Sequence, residues 1–211
     1  MLYNGSAQTQ SITGVGFQPD WVWGKRRDST GNNWVFDSVR GDDNQLVTNN
    51  TNAEVANSTE FGTFNSDGFS VTGFAGSFNN FSGKYASWNW KAGTAFSNDA
   101  SAGFSIISYT GTGSAGTIAH GLGVAPDMIL IKDRDNSSYN WVVYHSANTA
   151  APETDYLRLN LTNATADYDM WNDTAPTSSV FSVSSYDWVN KSSDAMIAYC
   201  FASVDGYSKF G

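Results

Sequence analysis

Three kinds of side chain in this sequence could do covalent or proton chemistry: the histidines His120 and His145, the single thiol of Cys200, and the carboxylates of 20 Asp and Glu residues. A hydrolase triad needs Ser, His and Asp to converge, and no G-x-S-x-G turn or comparable nucleophile motif accompanies either histidine. His120 lies in AHGLG and His145 in VVYHSA, so each reads as an ordinary turn or strand histidine. A glycosidase needs two carboxylates held across a cleft, yet nearly every acid here sits in a turn cluster such as DSTGNN, NSDG or DRDNSS. One cysteine makes neither an intramolecular disulfide nor a zinc site. Asp42 and Asp43 with Asn44, and Asp133 and Asp135 with Asn136, offer oxygen ligands for calcium, but neither run has the D-x-D-x-D-G spacing that ends in Glu. The expectation is a protein without catalysis and without a cofactor, with calcium at those acids as the one metal to consider.

Binding chemistry is better represented. Aromatics stranded in polar loops are Tyr139 in NSSYNW, Tyr168 and Trp171 in DYDMWND, Tyr186 and Trp188 in SSYDWVN, and Phe78 and Phe81 in GSFNNFSG. A ring flanked by Asp and Asn can stack on a sugar face while its neighbours hydrogen-bond the hydroxyls, and loops at the ends of a β scaffold are where such residues usually work. These seven are the candidate ligand contacts. The competing reading places them as plugs of the sandwich ends or as a subunit interface, where Tyr and Trp are also enriched.

The elements that must hold these loops are strands. Only 15% of the 211 residues are charged and 15% are aromatic, and no apolar stripe of helical spacing persists over a dozen positions. Short alternating runs recur instead, among them Trp21 to Lys25, Phe69 to Val71, Tyr85 to Trp90, Phe104 to Tyr109, Met128 to Lys132 and Met196 to Phe201. The composition predicts an all-β protein built of antiparallel sandwiches. A formal net charge of −9 with 11 scattered Lys and Arg argues against nucleic acid or anionic lipid as partner. No run of about 18 apolar residues is present, so no membrane insertion is expected.

An internal repeat organises the chain. GFQPDWVW at Gly16–Trp23 is answered by GVAPDMIL at Gly123–Leu130, and Lys25 and Trp34 by Lys132 and Trp141, all at an offset of 107. GFSV at Gly68–Val71 answers VFSV at Val180–Val183 at an offset of 112, and YASWNW at Tyr85–Trp90 answers MIAYCF at Met196–Phe201 at 111. We read two β-sandwich repeats, residues 1–95 and 103–205, joined by a linker at 96–102. Because Trp21, Trp23, Trp88 and Trp90 stand opposite Met128, Leu130, Tyr199 and Phe201, they read as packing bulk rather than as a binding stripe. The chain ends DGYSKFG, in which Gly206-Tyr207-Ser208 resemble Gly103-Phe104-Ser105, and residues 206–211 read as a further strand that completes repeat 1 or a neighbour.

The blocks GFQPDWVW, VFDSVRG, TFNSDGFSV, YASWNWKAG, YTGTGSAGTIAHGLGVAPDMILIKDR, NWVVYHSA, MWNDTAPTSSVFSV and AYCFASVDGYSKFG together resemble a repeat domain of unassigned function encoded by tailed bacteriophages, especially those of marine bacteria. The resemblance implies a virion structural protein with a lectin-like or jelly-roll sandwich, acting in a tail fibre, appendage or capsid decoration through assembly and surface adhesion. It implies a place on the virion surface after assembly in the host cytoplasm, and as partners other copies of the chain, other virion proteins and host surface glycan. Members run several units in series with joins like GYSKFGSYTG, and no catalytic or ligand residues transfer from them. The alternatives are a glycan- or receptor-binding module of a tail fibre and a polysaccharide-degrading enzyme.

Overall fold

The computed structural model describes residues 1–56, 59–73, 78–92, 97–99 and 103–211, the backbone alone for 97–99. The chain is all-β and divides into two compact units: unit 1 comprises Met1–Asn49 and Glu54–Lys91, and unit 2 comprises Asn50–Ala53 and Ala92–Gly211. Among the described residues no helix is long and apolar enough to cross a membrane.

Unit 1 holds β1 (Leu2–Asn4), β2 (Gln10–Thr13), β3 (Trp21–Arg26), β4 (Asn33–Asp37), β5 (Gly41–Val47), β6 (Phe61–Asn65), β7 (Gly68–Val71) and β8 (Lys84–Trp90). They form a five-stranded sheet in the order β1-β8-β3-β4-β5 and a three-stranded sheet in the order β2-β7-β6, all antiparallel. Alternation along the strands turns Val22, Trp34, Phe36, Val47 and Tyr85 of the larger sheet and Ile12, Phe61, Phe69 and Val71 of the smaller into one core. The opposite face of β3 and β8 carries a ladder of rings, with Trp90–Trp21, Trp21–Trp23 and Trp23–Trp88 centroids 4.9, 5.8 and 5.8 Å apart. Trp21 is buried, whereas Trp88 is 48% exposed. The packing reading therefore holds for Trp21 and is too broad for Trp88.

Unit 2 holds β9 (Ser97–Asp99), β10 (Phe104–Thr110), β11 (Gly116–Ala119), β12 (Met128–Asp133), β13 (Val142–His145), β14 (Asp155–Arg158), β15 (Ala166–Asp167), β16 (Val180–Val183), the single-turn α1 (Asp187–Asn190) and β17 (Ala195–Phe201). The sheets run β15-β14-β13-β12-β17-β10-β9 and β11-β16. The core gathers Ile107, Ile129, Ile131, Val142, Tyr144, Ala198 and Cys200 from the larger sheet with Phe181 and Val183 from the smaller. Of the sequence linker 96–102, residues 97–99 are β9, paired to β10, and residues 96 and 100–102 lie outside the described residues. Residues 206–211 belong to unit 2, where Val204 and Ser208 bridge to close a small hook.

The repeat is one of structure as well as of sequence. The trio β8-β3-β4 recurs as β17-β12-β13, and the pair β2-β7 recurs as β11-β16. The Pro-Asp turn makes the same bonds twice. The Asp20 N–H donates to the Trp90 carbonyl and Ser38 Oγ donates to Asp20 Oδ1; the Asp127 N–H donates to the Phe201 carbonyl and Ser146 Oγ donates to Asp127 Oδ1. A buried asparagine recurs too. Asn79 accepts from the Ser6 N–H and donates to the carbonyls of Gln8 and Thr72. Asn190 accepts from the Thr112 N–H and donates to the carbonyls of Ser114 and Ser184.

Candidate functional site

Four of the seven loop aromatics meet on one surface of unit 2. Tyr168 follows β15, Tyr186 precedes α1, Trp188 lies in α1, and Tyr139 lies in the loop after β12. Ring centroids run Tyr168–Tyr186 4.6 Å, Tyr186–Trp188 5.6 Å and Trp188–Tyr139 6.5 Å. Tyr156 of β14 meets the edge of Trp188 at 6.2 Å, and the Arg158 guanidinium sits 5.1 Å from the Tyr156 ring centre and 5.3 Å from that of Trp188. Lys191 Nζ stands 5.5 Å over Tyr139, whose hydroxyl donates to Asp187 Oδ2 at 3.1 Å. Tyr168 and Tyr186, with Asp169, Ser184 and Ser185, line a groove of about 260 Å³. Burial raises the Tyr186 phenol above its ordinary value, with the neighbouring Tyr168 adding to the shift, so Tyr186 stays a neutral donor.

The surface is fixed from beneath. Asn190 ties α1 to the 112–114 turn and to Ser184, the Tyr109 hydroxyl donates to the Val189 carbonyl at 2.6 Å, and the Tyr186 N–H donates to Ser184 Oγ at 3.0 Å. The turn carrying Tyr186 and Trp188 is thus closed by local bonds to Ser184 and Tyr186 and anchored to Tyr109 and the 112–114 turn, far away in sequence. Sequence reading missed this asparagine, although Asn79 and Asn190 keep the 111-residue offset of the neighbouring strands and could have been found by it.

The other candidates lie elsewhere. Trp171 is 1% exposed: its indole N–H donates to the Asp155 carbonyl at 2.9 Å, and its ring meets Tyr144 edge-on at 5.6 Å. It supports the loop that Tyr168 starts and is not a surface contact. Phe78 is fully buried in the unit 1 core, because Gly24 leaves the space its ring fills; a Cβ on Gly24 would stand 2.1 Å from Phe78 Cε2. Phe81 is exposed and belongs to unit 1, whereas the four clustered rings belong to unit 2.

Of the acids read as calcium ligands, Asp43, Asp133 and Asp135 each engage one carboxylate oxygen in the chain, while Asp133 Oδ2 is buried with no hydrogen-bond partner among the described residues. Asp43 Oδ1 accepts from Asn44 Nδ2, and Asp42 lies beside it in β5. Asp133 is buried and accepts from the N–H groups of Asp135 and Asn136, while Asp135 Oδ2 accepts from the Ala195 N–H. Lys132 Nζ donates to the carbonyls of Asp133 and Asn136, so an ammonium sits where that loop's carbonyl oxygens converge. Burial lowers the Lys132 ammonium to about 8 and raises the Asp133 carboxyl. Among the described residues no group of three or more His, Cys, Asp or Glu side chains is placed to hold a metal ion.

Of the acid–base candidates, His120 and Cys200 are buried and His145 is half-buried. His120 is 1% exposed; its Nδ1 accepts from the Leu122 N–H, so Nε2–H donates to the Thr177 carbonyl at 3.1 Å, and burial lowers its pKa. His145 Nδ1 accepts from the Ala147 N–H, and burial pushes the Cys200 thiol far up. The arrangement suits stacking and hydrogen bonding, with rings, serine hydroxyls, carboxylates and two cations on one face.

Comparison with curated proteins and with solved structures finds no match. A family profile described as a domain of unknown function, DUF7483, matches residues 1–211, and the chain belongs to that family.

Proposed function

We propose that the chain is a non-catalytic structural module of the virion-appendage kind that the phage resemblance implies, adhering to a host surface glycan through the aromatic surface of unit 2. The observation that carries this reading is the convergence of Tyr139, Tyr168, Tyr186 and Trp188, spread over 50 residues, onto one face beside a serine- and aspartate-lined groove. Half-buried rings offer contact area at little entropic cost, and the adjoining hydroxyls and carboxylates suit sugar hydroxyls. The engaged nitrogens of His120 and the buried thiol of Cys200 support binding over catalysis.

A glycan array probed with the intact chain tests it. Bound neutral or acidic polysaccharide lost by at least tenfold in both Tyr186→Ala and Trp188→Ala, with melting unchanged within a few degrees, is the expected result. No glycan bound, or binding untouched by either change, overturns it, and shortening of the polysaccharide during incubation overturns the non-catalytic part.

A further inference from the structure

The two units differ at one sheet edge. In unit 2, β10 pairs with β17 along seven rungs, including Phe104 opposite Phe201, Ser105 opposite Cys200 and Ile106 opposite Tyr199. In unit 1, β1 pairs with β8 at Lys84–Ala86 only, and Met1 exchanges backbone bonds with Ser87. Among the described residues no strand continues this pairing past Ser87. By the 111-residue offset, Asn89 takes the place of Cys200 and Trp88 that of Tyr199. At that place Asn89 Oδ1 is buried with no hydrogen-bond partner among the described residues, while Nδ2 reaches only Ser87. A buried acceptor without a donor is costly, so its position marks an absent partner. Beside it lies a groove of about 310 Å³ lined by Met1, Val15, Phe17, Trp88 and Asn89.

The segment that fits this edge is in the same sequence. Gly206-Tyr207-Ser208 repeats Gly103-Phe104-Ser105, and the two glycines share the left-handed backbone, φ +73 and +63. Within unit 2 the segment is held by the Val204–Ser208 bridge, a 3.1 Å bond from the Phe210 N–H to Ser203 Oγ and a ring contact between Phe210 and Phe201, and Tyr207 is 61% exposed. We infer that Tyr207–Lys209 of a second copy adds antiparallel to the edge of β8, Ser208 opposite Asn89 and Lys209 opposite Trp88, linking copies head to tail. Ser208 exchanges both backbone bonds with Asn89, as the register of Ser105 and Cys200 provides, and its hydroxyl donates to Asn89 Oδ1. Lys209 lays its stem and ammonium over the half-exposed Trp88 ring on the same face. Strand addition of this kind draws affinity from main-chain bonds and specificity from alternate side chains. The inference stands apart from the glycan reading, since its residues belong to other surfaces.

The test mixes two full-length single variants, Asn89→Cys and Ser208→Cys, under mild oxidation; native Cys200 is buried and gives no background. A disulfide-linked heterodimer forming at least tenfold faster than in a mixture of Asn89→Cys with Lys209→Cys, and suppressed by excess synthetic Gly206–Gly211 peptide, is expected. Equal rates in the two mixtures, no heterodimer, or closure within one chain of the doubly substituted protein at high dilution overturns the proposal. Sedimentation gives a second readout. The mass of the unmodified chain rises with concentration and that of Ser208→Pro, folded by near-UV circular dichroism, does not; a mass independent of concentration in the unmodified chain overturns it equally.

Discussion

Single residues in this fold divide by what their polar atoms already hold. Trp171 and Trp188 occupy similar polar loops, yet the indole N–H of Trp171 is bonded to the Asp155 carbonyl and its ring is sealed, while Trp188 stays half-buried among other rings. Trp171→Ala is therefore expected to cost about 4 kcal/mol of stability, read as a lowered denaturant midpoint, because a buried indole leaves both a cavity and an orphaned carbonyl. Trp188→Ala is expected to leave that midpoint within about 1 kcal/mol and to act on binding. Sequence reading grouped the two because flanking Asp and Asn mark a loop but not the depth of a ring within it. His120 gives the second residue-level expectation. Burial lowers its folded-state pKa below the ordinary 6.5, so the neutral ring is the form the fold holds. Stability is complete above that value and falls as pH drops from about 6.5 through the folded pKa, since the unfolded chain takes the proton first. Melting temperature followed from pH 8 to 5 should show this decline, and His120→Gln should lack that component of it.

Between elements, the repeat explains what a strand-by-strand reading could not. Gly24 and Phe78 of unit 1 stand at the offsets of Ile131 and Val189 of unit 2, all in or against the cores. One unit fills the space between its sheet and the segment before β8 with a glycine and a phenylalanine, the other with isoleucine and valine. Phe78 looked like a stranded loop ring because its partner is an absence, the missing side chain of Gly24, which no pattern of apolar residues displays. The strands themselves were legible, as alternation and turn clusters mark them directly, and so were the paired Pro-Asp turns. Gly24→Ala should cost about 2 kcal/mol by driving a methyl into the Phe78 ring, and Phe78→Leu a similar amount by leaving a void. The double variant should be less destabilised than the sum by about 1 kcal/mol or more, because the new methyl moves into the space the ring vacates. Denaturant titrations of the four proteins measure that coupling, and strict additivity would mean the two positions do not share the space.

For the molecule as a whole, charge and assembly oppose each other. Every copy carries a formal charge of −9, so copies joined head to tail repel, and the strand contact must exceed that repulsion. Added salt shortens the reach of the repulsion to about 10 Å at 0.1 M and less above it, while main-chain bonds and ring contacts at the β8 edge are little affected. Mean mass at fixed concentration is accordingly expected to rise from 20 to 500 mM salt, conditions set by the range over which screening changes most. A row of copies then repeats the Tyr168–Tyr186–Trp188–Tyr139 surface once per chain, turning a weak single contact into many contacts on one polymer. Linked sites of this kind can gain roughly 10² to 10⁴ in apparent affinity without any new contact. Ser208→Pro lies outside the aromatic surface, so it should leave the affinity for a short oligosaccharide unchanged and lower retention on an immobilised polysaccharide by at least about tenfold at the same chain concentration. Surface plasmon resonance against both ligands separates the two quantities. Equal retention of the assembled and the monomeric protein would mean that adhesion proceeds one copy at a time, with the head-to-tail contact serving architecture alone.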